Sequence, residues 1–299
     1  TPINSCQHLT EADSYILTQD VISSGSCFHI NVSNIALNCN EYTINYSSAS
    51  TKSYGVNVTD ASNISITNCD LIEFGGSVSD SHAVRFDGVD NTTVENNTMT
   101  TISTDSQGIY ILSSSYDMLK GNTIITNGND GTGIKIDTSS DFNNVTLNTV
   151  ATKGNSTANG IELSSTSSDN NIINENTVIV SGKNGYGMDI GGDSNYIFSN
   201  NVSTNLSSTV GIRITRNSNT ISSNFVNSSS DAFNIQAGDS NVVDSNYFVG
   251  NNSGITLSST ADENIIVNNN FSGMYRIDIL DSTGDSYKNY LVYNNSLGE

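Results

Sequence analysis

The sequence has no Trp, a single Pro, only ten Lys and Arg residues, and no long apolar run. One Pro and 24 Gly exclude a collagen-like or Pro-rich stalk. Ten basic against 30 acidic residues give a net charge of −20, which disfavours nucleic acid or an anionic membrane as a partner. Because no apolar run approaches the roughly 18 residues that a spanning helix needs, no membrane span is expected.

Asn, Ser and Thr dominate the composition instead. The 299 residues include 45 Asn, 48 Ser and 30 Thr, while apolar residues make up 35% and charged residues 13%. Low hydrophobicity with high net charge is typical of disordered chains. Ile and Val recur here at regular intervals, however, and such regularity predicts a folded repeat.

A four-residue phrase, small–apolar–any–apolar, recurs about every 25 residues. Its eleven copies begin at residues 27, 55, 83, 108, 133, 160, 187, 211, 232, 254 and 276. The alternation of apolar residues within the phrase indicates a β-strand rather than a helix.

A second phrase, Asn–any–apolar–two of any–Asn–any–apolar, follows about ten residues after the first. Its second Asn recurs with the same period, at Asn97, Asn122, Asn148, Asn176, Asn200, Asn224, Asn246 and Asn269. An Asn at one bend of every coil can donate and accept hydrogen bonds along a stack of coils. We therefore predict a ladder of stacked side-chain amides.

Two markers with one period predict an all-β fold, a parallel β-helix solenoid of about eleven coils. A repeat of 21–28 residues cannot bury its own apolar face, so successive coils must stack. Each strand then pairs with its copy in the next coil, about 4.8 Å away. We expect residues 1–25 to form an N-terminal cap segment and residues 26–299 to form the β-helix.

The two phrases resemble the repeats of right-handed parallel β-helix proteins of the carbohydrate-binding and sugar-hydrolase type. This group includes pectate-lyase-like enzymes, periplasmic copper-site maturation proteins, and many archaeal and bacterial surface proteins. The opening segments resemble the first coil of the surface-protein branch, and they comprise Cys6–Leu9, Tyr15–Val21, Gly25–Ile30 and Leu37–Ile44. The resemblance covers essentially the whole chain and implies a single-stranded, right-handed β-helix. It selects no single function, because this fold hosts many activities.

All four cysteines, Cys6, Cys27, Cys39 and Cys69, lie in the first quarter of the chain. None has the CxxC spacing of a metal site and the three His are scattered, so we expect no metal and no cofactor. An even count favours disulfides in an extracellular protein. A start at Thr1 rather than Met fits removal of a signal peptide or an artificial boundary of the sequence. Of three possible pairings we favour Cys6–Cys27 and Cys39–Cys69; buried free thiols are the alternative.

Fourteen Asn-X-Ser/Thr sequons occur, close to the number that the composition alone would produce. Their positions are more informative than their number. Asn31 and Asn57 fall on outward-facing strand positions, and Asn155 and Asn205 fall in turns. We predict glycosylation at these four residues.

The third residue of the first phrase faces solvent, and stacking places these residues side by side. Lys135, Glu162, Asp189 and Arg213 follow one another in the middle of this column. Two carboxylates about 5 Å apart suit retaining glycoside hydrolysis. A solvated ladder of opposite charges explains the order cation, anion, anion, cation equally well, and we favour the ladder.

Known enzymes of this fold guide the search for a catalytic site. The sequence has no clustered Asp triad like the calcium site of pectate lyases and no residue set like that of polygalacturonases, Arg213–Arg216 being the nearest approach. It also has no long insertions between coils that could wall a cleft. We therefore expect no enzymatic activity.

These observations predict an extracellular structural protein, a repeating subunit of a cell-surface layer, sheath or filament. Its partner would be itself, with surface glycans as a second candidate. The alternative is a carbohydrate-binding or polysaccharide-cleaving β-helix module.

The C-terminal part of the sequence suggests how self-association could occur. Arg276–Leu280 leads into the Tyr-rich segment Tyr287–Tyr293, which does not resemble a polar cap. Because unpaired strand edges invite pairing, we expect homo-oligomeric contacts through this end or along a flat side sheet. Alternatively, the segment folds over the last coil as its own cap.

Overall fold

Three parallel β-sheets run along the chain, and each coil contributes one strand to each sheet. The computed structural model describes residues 1–47, 52–75, 78–164, 167–257 and 261–273, together with short strands at 279–281, 290–291 and 296–297. No helix occurs among these residues. The prediction of an all-β, right-handed parallel β-helix is confirmed.

The three sheets are numbered by their order within a coil. Sheet 1 consists of Gln7–Leu9, Phe28–Ile30, Val56–Thr59, Val84–Asp87, Ile109–Leu112, Ile134–Asp137, Ile161–Leu163, Tyr186–Ile190, Val210–Ile214, Phe233–Ile235, Ile255–Leu257 and Ile279–Asp281. Sheet 2 consists of Pro2–Ile3, Ser14–Leu17, Ala36–Asn38, Ser65–Thr67, Thr93–Glu95, Met118–Lys120, Asn144–Thr146, Ile172–Asn174, Tyr196–Phe198, Thr220–Ser222, Val242–Asp244, Ile265–Val267 and Tyr290–Leu291. Sheet 3 consists of Val21–Ile22, Thr43–Tyr46, Asp70–Glu73, Thr98–Thr101, Thr123–Thr126, Thr149–Thr152, Thr177–Val180, Asn201–Thr204, Phe225–Ser228, Tyr247–Gly250, Asn270–Ser272 and Ser296–Leu297.

The interior of the solenoid consists of stacked aliphatic side chains. In sheet 1, for example, Ile109 and Ile111 pair with Ile134 and Ile136 of the next coil, and all four are fully buried. Each such side chain contributes on the order of 1.5–3 kcal/mol through its removal from water. The alternation of apolar and polar residues in the sequence thus becomes the alternation of inward and outward faces.

A small residue precedes the sheet 1 strand because the chain is tightly packed there. A Cβ on Gly160 would lie 2.2 Å from Cγ1 of Val178 and 2.5 Å from the carbonyl oxygen of Gly187. Neither atom belongs to the end of a long flexible side chain, so a larger residue would push the coils apart.

The predicted Asn column forms a continuous buried ladder at the bend between sheets 2 and 3. Asn122 shows the pattern, because its Oδ1 accepts the backbone N–H and the side-chain Nδ2–H of Asn97, both at 3.0 Å. Its own Nδ2 donates to Oδ1 of Asn148 at 2.9 Å and to the carbonyl of Val94 at 2.8 Å. The same contacts link each member to the next as far as Asn269.

A second amide ladder, which the sequence analysis did not identify, lies before the sheet 2 strands. Its members are Asn143, Asn171, Asn195, Asn219, Asn241 and Asn264, and each Oδ1 from Asn171 onward accepts the backbone N–H of the previous Asn at 2.8–2.9 Å. Asp117 occupies the position before Asn143, where a carboxyl replaces the amide.

Asp117 is 1% exposed. Its Oδ1 accepts the backbone N–H of Thr92 at 2.7 Å, and its Oδ2 has no hydrogen-bond partner. Burial raises the pKa of Asp117 to about 8; the bond from Thr92 opposes this rise and the charge of Asp90 adds to it.

The predicted N-terminal segment, residues 1–25, contributes strands to all three sheets. Its boundary with the β-helix at residue 25 stays a prediction. The structure contains two disulfides, joining Cys6 to Cys27 and Cys39 to Cys69, which is the pairing that the sequence favours. Each disulfide ties neighbouring coils together.

Loss of the second disulfide should loosen the first coils more than the rest. Replacing Cys39 and Cys69 by Ser is expected to cost about 2–4 kcal/mol, because the link closes a loop of 30 residues. Since each repeat of a solenoid contacts only its neighbours, hydrogen exchange should speed up in the first four strands of sheet 1. Equal acceleration in the coils around Val226 would contradict this local effect.

The C-terminal segment that was expected to mediate self-association is only partly described. Ile279–Asp281 and Tyr290–Leu291 pair with sheets 1 and 2. The remainder of Arg276–Leu280 and Tyr287–Tyr293 lies outside the described residues.

Candidate functional site on the outer face of sheet 1

One column of outward side chains runs along the middle of sheet 1. Strand register places in it His8, His29, Asn57, Arg85, Tyr110, Lys135, Glu162, Asp189, Arg213, Asn234 and Thr256. The next strand places Leu280 opposite Thr256, whereas the repeat phrase puts Asp278 there; Asp278 lies outside the described residues. From His8 to Thr256 the pairing keeps one register, and it brings charged and aromatic groups from distant parts of the sequence together.

Glu162 is held by three neighbours. Its Oε1 lies 3.4 Å from Nζ of Lys135, and its Oε2 accepts from Nδ2 of Asn159 at 2.8 Å and from the Thr132 hydroxyl at 3.2 Å. The Glu162 side chain is 14% exposed. These contacts fix the orientation of a carboxylate that still reaches solvent.

Asp189 is bound more tightly than Glu162. Its carboxylate accepts two hydrogen bonds from Arg213, from Nε at 2.8 Å and from Nη2 at 2.5 Å. Nη1 of Arg213 donates to the Tyr186 hydroxyl and to Oε1 of Gln236, both at 3.0 Å, and the guanidinium lies 3.9 Å from the Tyr186 ring centroid. Burial raises the pKa of Asp189, and the bonds and charge of Arg213 oppose that rise.

Lys135, Glu162, Asp189 and Arg213 form a charged cluster, and aromatic residues lie beyond its Lys135 end. The His82 ring stacks on Tyr54 at 5.6 Å and meets Tyr110 edge-on at 5.0 Å. Nδ1 of His82 accepts the backbone N–H of Gln107 at 3.1 Å. Burial, with the charges of nearby cations, lowers the pKa of His82 to about 3, so the ring is neutral at ordinary pH.

Tyr110 stands next to Lys135 in the first column, between His82 and the charged residues. Its hydroxyl donates to Oδ2 of Asp137 at 3.3 Å. Burial and the Asp137 carboxylate raise the pKa of Tyr110 to about 12, so the phenol keeps its proton. Its half-buried ring offers an apolar edge beside hydrogen-bonding groups.

Several of these residues belong to a second column that the sequence analysis did not recognise. Tyr54, His82, Thr132, Asn159 and Tyr186 each stand three residues before a member of the first column. That constant offset was the available signal. Their side chains contact the first column, as Asn159 and Thr132 contact Glu162 and Tyr186 contacts Arg213.

The cluster has clear chemical consequences. Asp189 uses both oxygens to hold Arg213, so it is poorly placed to act as a nucleophile. Oε1 of Glu162 has a single contact, 3.4 Å from Nζ of Lys135, and remains accessible. Glu162 is therefore the better candidate for proton transfer. The predicted pairs of opposite charge are present, and they orient the groups that a ligand on this face would meet.

The predicted glycosylation sites differ in accessibility. Nδ2 of Asn57 contacts Nδ1 of His29 at 3.1 Å, its Oδ1 accepts from Arg85 at 3.2 Å, and the residue is 9% exposed. Asn31, Asn155 and Asn205 are exposed. Glycosylation at the four residues stays a prediction, with Asn57 the least accessible.

No cluster of three or more His, Cys, Asp or Glu that could hold a metal ion occurs among the described residues. The same part of the chain has no helix able to span a membrane.

A protein family described as the right handed beta helix region matches residues 29–203, more than half of the chain. No curated protein matches the sequence.

Solved structures with the same fold have diverse activities. The Dettilon tailspike protein is 16% identical, with a TM-score of 0.72 over 94% of this chain and 60% of its own. PfbA, a surface adhesin of Streptococcus pneumoniae, is 14% identical, with a TM-score of 0.67 over 94% of this chain and 83% of its own. The DFA-IIIase of Arthrobacter chlorophenolicus A6, solved in complex with DFA-III, is 12% identical, with a TM-score of 0.63 over 85% of this chain and 71% of its own. At these identities the likeness establishes the fold alone.

The expectation that the chain is not an enzyme is wrong. It rested on the bare appearance of the scaffold and on missing motifs of two enzyme groups. The DFA-IIIase is an enzyme whose β-helix resembles this one, although the sequences are only 12% identical. The β-helix fold of this chain is therefore compatible with catalysis.

Proposed function

The chain belongs to the right-handed β-helix family, and on this premise we propose that it is a carbohydrate-binding or carbohydrate-cleaving module whose ligand lies along the outer face of sheet 1. One observation carries the proposal. Aromatic rings and ion-paired side chains line one side of seven successive coils, from Tyr54 to Arg213.

The chemistry of this face suits sugars. Tyr rings offer apolar surface to the C–H faces of a sugar, and charged groups make strong hydrogen bonds to hydroxyls. Glu162, Asp189 and Arg213 are already held in place by neighbouring residues. Ligand binding therefore costs the protein little side-chain entropy. An extended chain of sugars could contact several coils at once, since equivalent side chains recur every 4.8 Å or so.

Cleavage would depend on Glu162. Its carboxylate is the one within the charged cluster that a ligand can approach without breaking a bidentate ion pair. Glu162 would transfer a proton to or from the sugar, and Lys135, whose Nζ lies 3.4 Å from its Oε1, would help to hold the carboxylate in place. If no cleavage occurs, the same residues serve binding alone.

The location that fits this function is outside the cell. Two disulfides persist in an oxidising compartment. A role as the structural subunit of a surface layer, sheath or filament would in addition require self-association.

A polysaccharide panel tests the proposal. We expect the protein to bind at least one neutral or acidic polysaccharide in calorimetry, and Tyr110→Ala to weaken that binding about fivefold, since an aromatic contact contributes on the order of 1 kcal/mol. Reducing-end assays on the same panel detect cleavage. Glu162→Gln should abolish any cleavage and leave binding within a few fold.

Tyr196→Ala is the matched control, because Tyr196 is an exposed aromatic residue on sheet 2. It should leave binding unchanged. Failure to bind any member of the panel, or equal weakening by the two Tyr substitutions, would refute a site on sheet 1.

A further inference from the structure

The outer face of sheet 3 carries no charge over eight consecutive coils. Its outward residues form two columns, Thr98, Thr123, Thr149, Thr177, Asn201, Phe225, Tyr247 and Asn270, and beside them Thr100, Ile125, Ala151, Ile179, Ser203, Asn227, Val249 and Ser272. These sixteen residues are called the neutral face.

A neutral surface is unexpected on this molecule. The chain carries 30 acidic residues and a net charge of −20. Sheet 1 presents Arg85, Lys135 and Glu162 outward, and sheet 2 presents Glu95 and Lys120. Strand propensity does not explain the difference, because all three sheets are built from the same kind of parallel strand.

The neutral face also exposes apolar groups in a flat array. Ile179 is 38% exposed, Phe225 41% and Tyr247 37%, and the two rings stack at 5.5 Å. Strand register is continuous from Thr98 to Ser272, so no bulge breaks the surface.

Charged residues line both long edges of the neutral face, and among them are one Lys and one Glu on opposite edges. Lys153 follows the strand Thr149–Thr152 on one long edge, and Glu175 precedes the strand Thr177–Val180 on the other edge, one coil further on. Both residues are exposed. No ion pair involves either side chain within the described part of the chain, and Glu175 accepts only a 3.5 Å contact from Asn174.

We infer that the neutral face binds a second copy of this chain. Two molecules of charge −20 repel each other wherever their surfaces carry charge, and this face is where that repulsion is weakest. Packing the two faces together removes Ile179, Phe225 and their equivalents from water.

The edge charges select one orientation of the pair. A two-fold axis parallel to the solenoid axis turns the left edge of one face onto the right edge of its partner. Each Lys153 then lies across from the partner's Glu175, about one coil spacing away. A two-fold axis parallel to the strands would instead bring Glu175 towards its own copy, which like-charge repulsion disfavours.

The contact should be weak. Seven strand spacings by four residues give a face of roughly 34 by 13 Å, which is small for a stable dimer. We therefore expect monomer at low micromolar concentration and dimer at some hundreds of micromolar.

Sedimentation velocity across that range tests the inference, on protein made in a host without N-glycosylation because Asn205 lies on the Lys153 edge. Ile179→Lys should abolish the dimer. Ile172→Lys should leave it intact, since Ile172 is equally exposed, at 38%, in the same coil but on sheet 2.

Charge exchange tests the orientation. Lys153→Glu and Glu175→Lys should each weaken the dimer about tenfold, and the double variant should restore it. A wild type that stays monomeric at several hundred micromolar, or an Ile172→Lys variant as defective as Ile179→Lys, would overturn the neutral face as the interface. Single exchanges without rescue in the double variant would overturn the two-fold orientation. All of these outcomes are independent of sugar binding on sheet 1.

Discussion

Replacing Asp117 by Asn is expected to stabilise the protein by about 4 kcal/mol at pH 7 and to remove part of its pH dependence. The neighbouring members of the ladder, Asn143 and Asn171, donate through Nδ2 to the carbonyls of Ser114 and Ser140 at 3.1 Å. Asp117 can make the equivalent bond only when its Oδ2 carries a proton. An Asn at this position supplies the donor at every pH.

The direction of the pH effect follows from the pKa of Asp117, which burial raises from 3.8 to about 8. Between about pH 4 and pH 8 the unfolded chain releases this proton and the folded chain keeps it. Stability therefore falls as pH rises through this range, and Asp117 imposes no penalty below about pH 4. Chemical denaturation at several pH values should show wild type and Asp117→Asn alike near pH 4 and diverging towards pH 8.

Two further variants sharpen this test. Asp90→Asn removes a neighbouring charge from an exposed residue and should change stability little. Asn143→Asp places an acid one coil further along the same ladder and should create a similar penalty at neutral pH. An Asp117→Asn variant no more stable than wild type at pH 8 would show that the buried carboxyl is not held protonated.

Replacing Asn176 by Ala is expected to destabilise the protein by about 3–5 kcal/mol, because it leaves several buried groups without partners. Oδ1 of Asn176 accepts the backbone N–H of Asn148 at 2.9 Å and the Nδ2 of Asn148 at 3.0 Å. Its Nδ2 donates to the carbonyl of Val145 at 2.8 Å and to Oδ1 of Asn200 at 3.0 Å. Urea unfolding monitored by circular dichroism measures the loss.

The position of Asn176 in the middle of the stack adds a second observable. Because coils interact only with their neighbours, a weak coil should divide unfolding into separate steps for the two halves. Asn201→Ala is the control, since Asn201 is exposed on sheet 3, and it should change stability by less than about 0.5 kcal/mol. Equal effects of the two substitutions would mean that the ladder contributes no more than surface amides.

The sequence predicted those features that repetition imposes. In a stack of equivalent coils, a residue repeated at one offset must lie above its copy, so the column from Asn97 to Asn269 could be recognised without coordinates. The same reasoning placed Lys135, Glu162, Asp189 and Arg213 in one row and favoured the pairing Cys39–Cys69. Repetition carries no information about what a surface binds, which is why the inference from a bare scaffold to no enzymatic activity failed.

By itself, the sequence determined the period, the parallel stacking and the inward positions, because these follow from spacing and alternation. Only the tertiary structure decided the contacts of residues that interrupt the repetition. Asp117 could be identified as a buried acid in an amide ladder once Asn143 was seen to accept its backbone N–H. The contacts of His82 with two Tyr rings and the two hydrogen bonds from Arg213 to Asp189 likewise depend on where the side chains point. Periodicity fixes which coil a residue belongs to, and packing alone decides where its side chain points and what it touches.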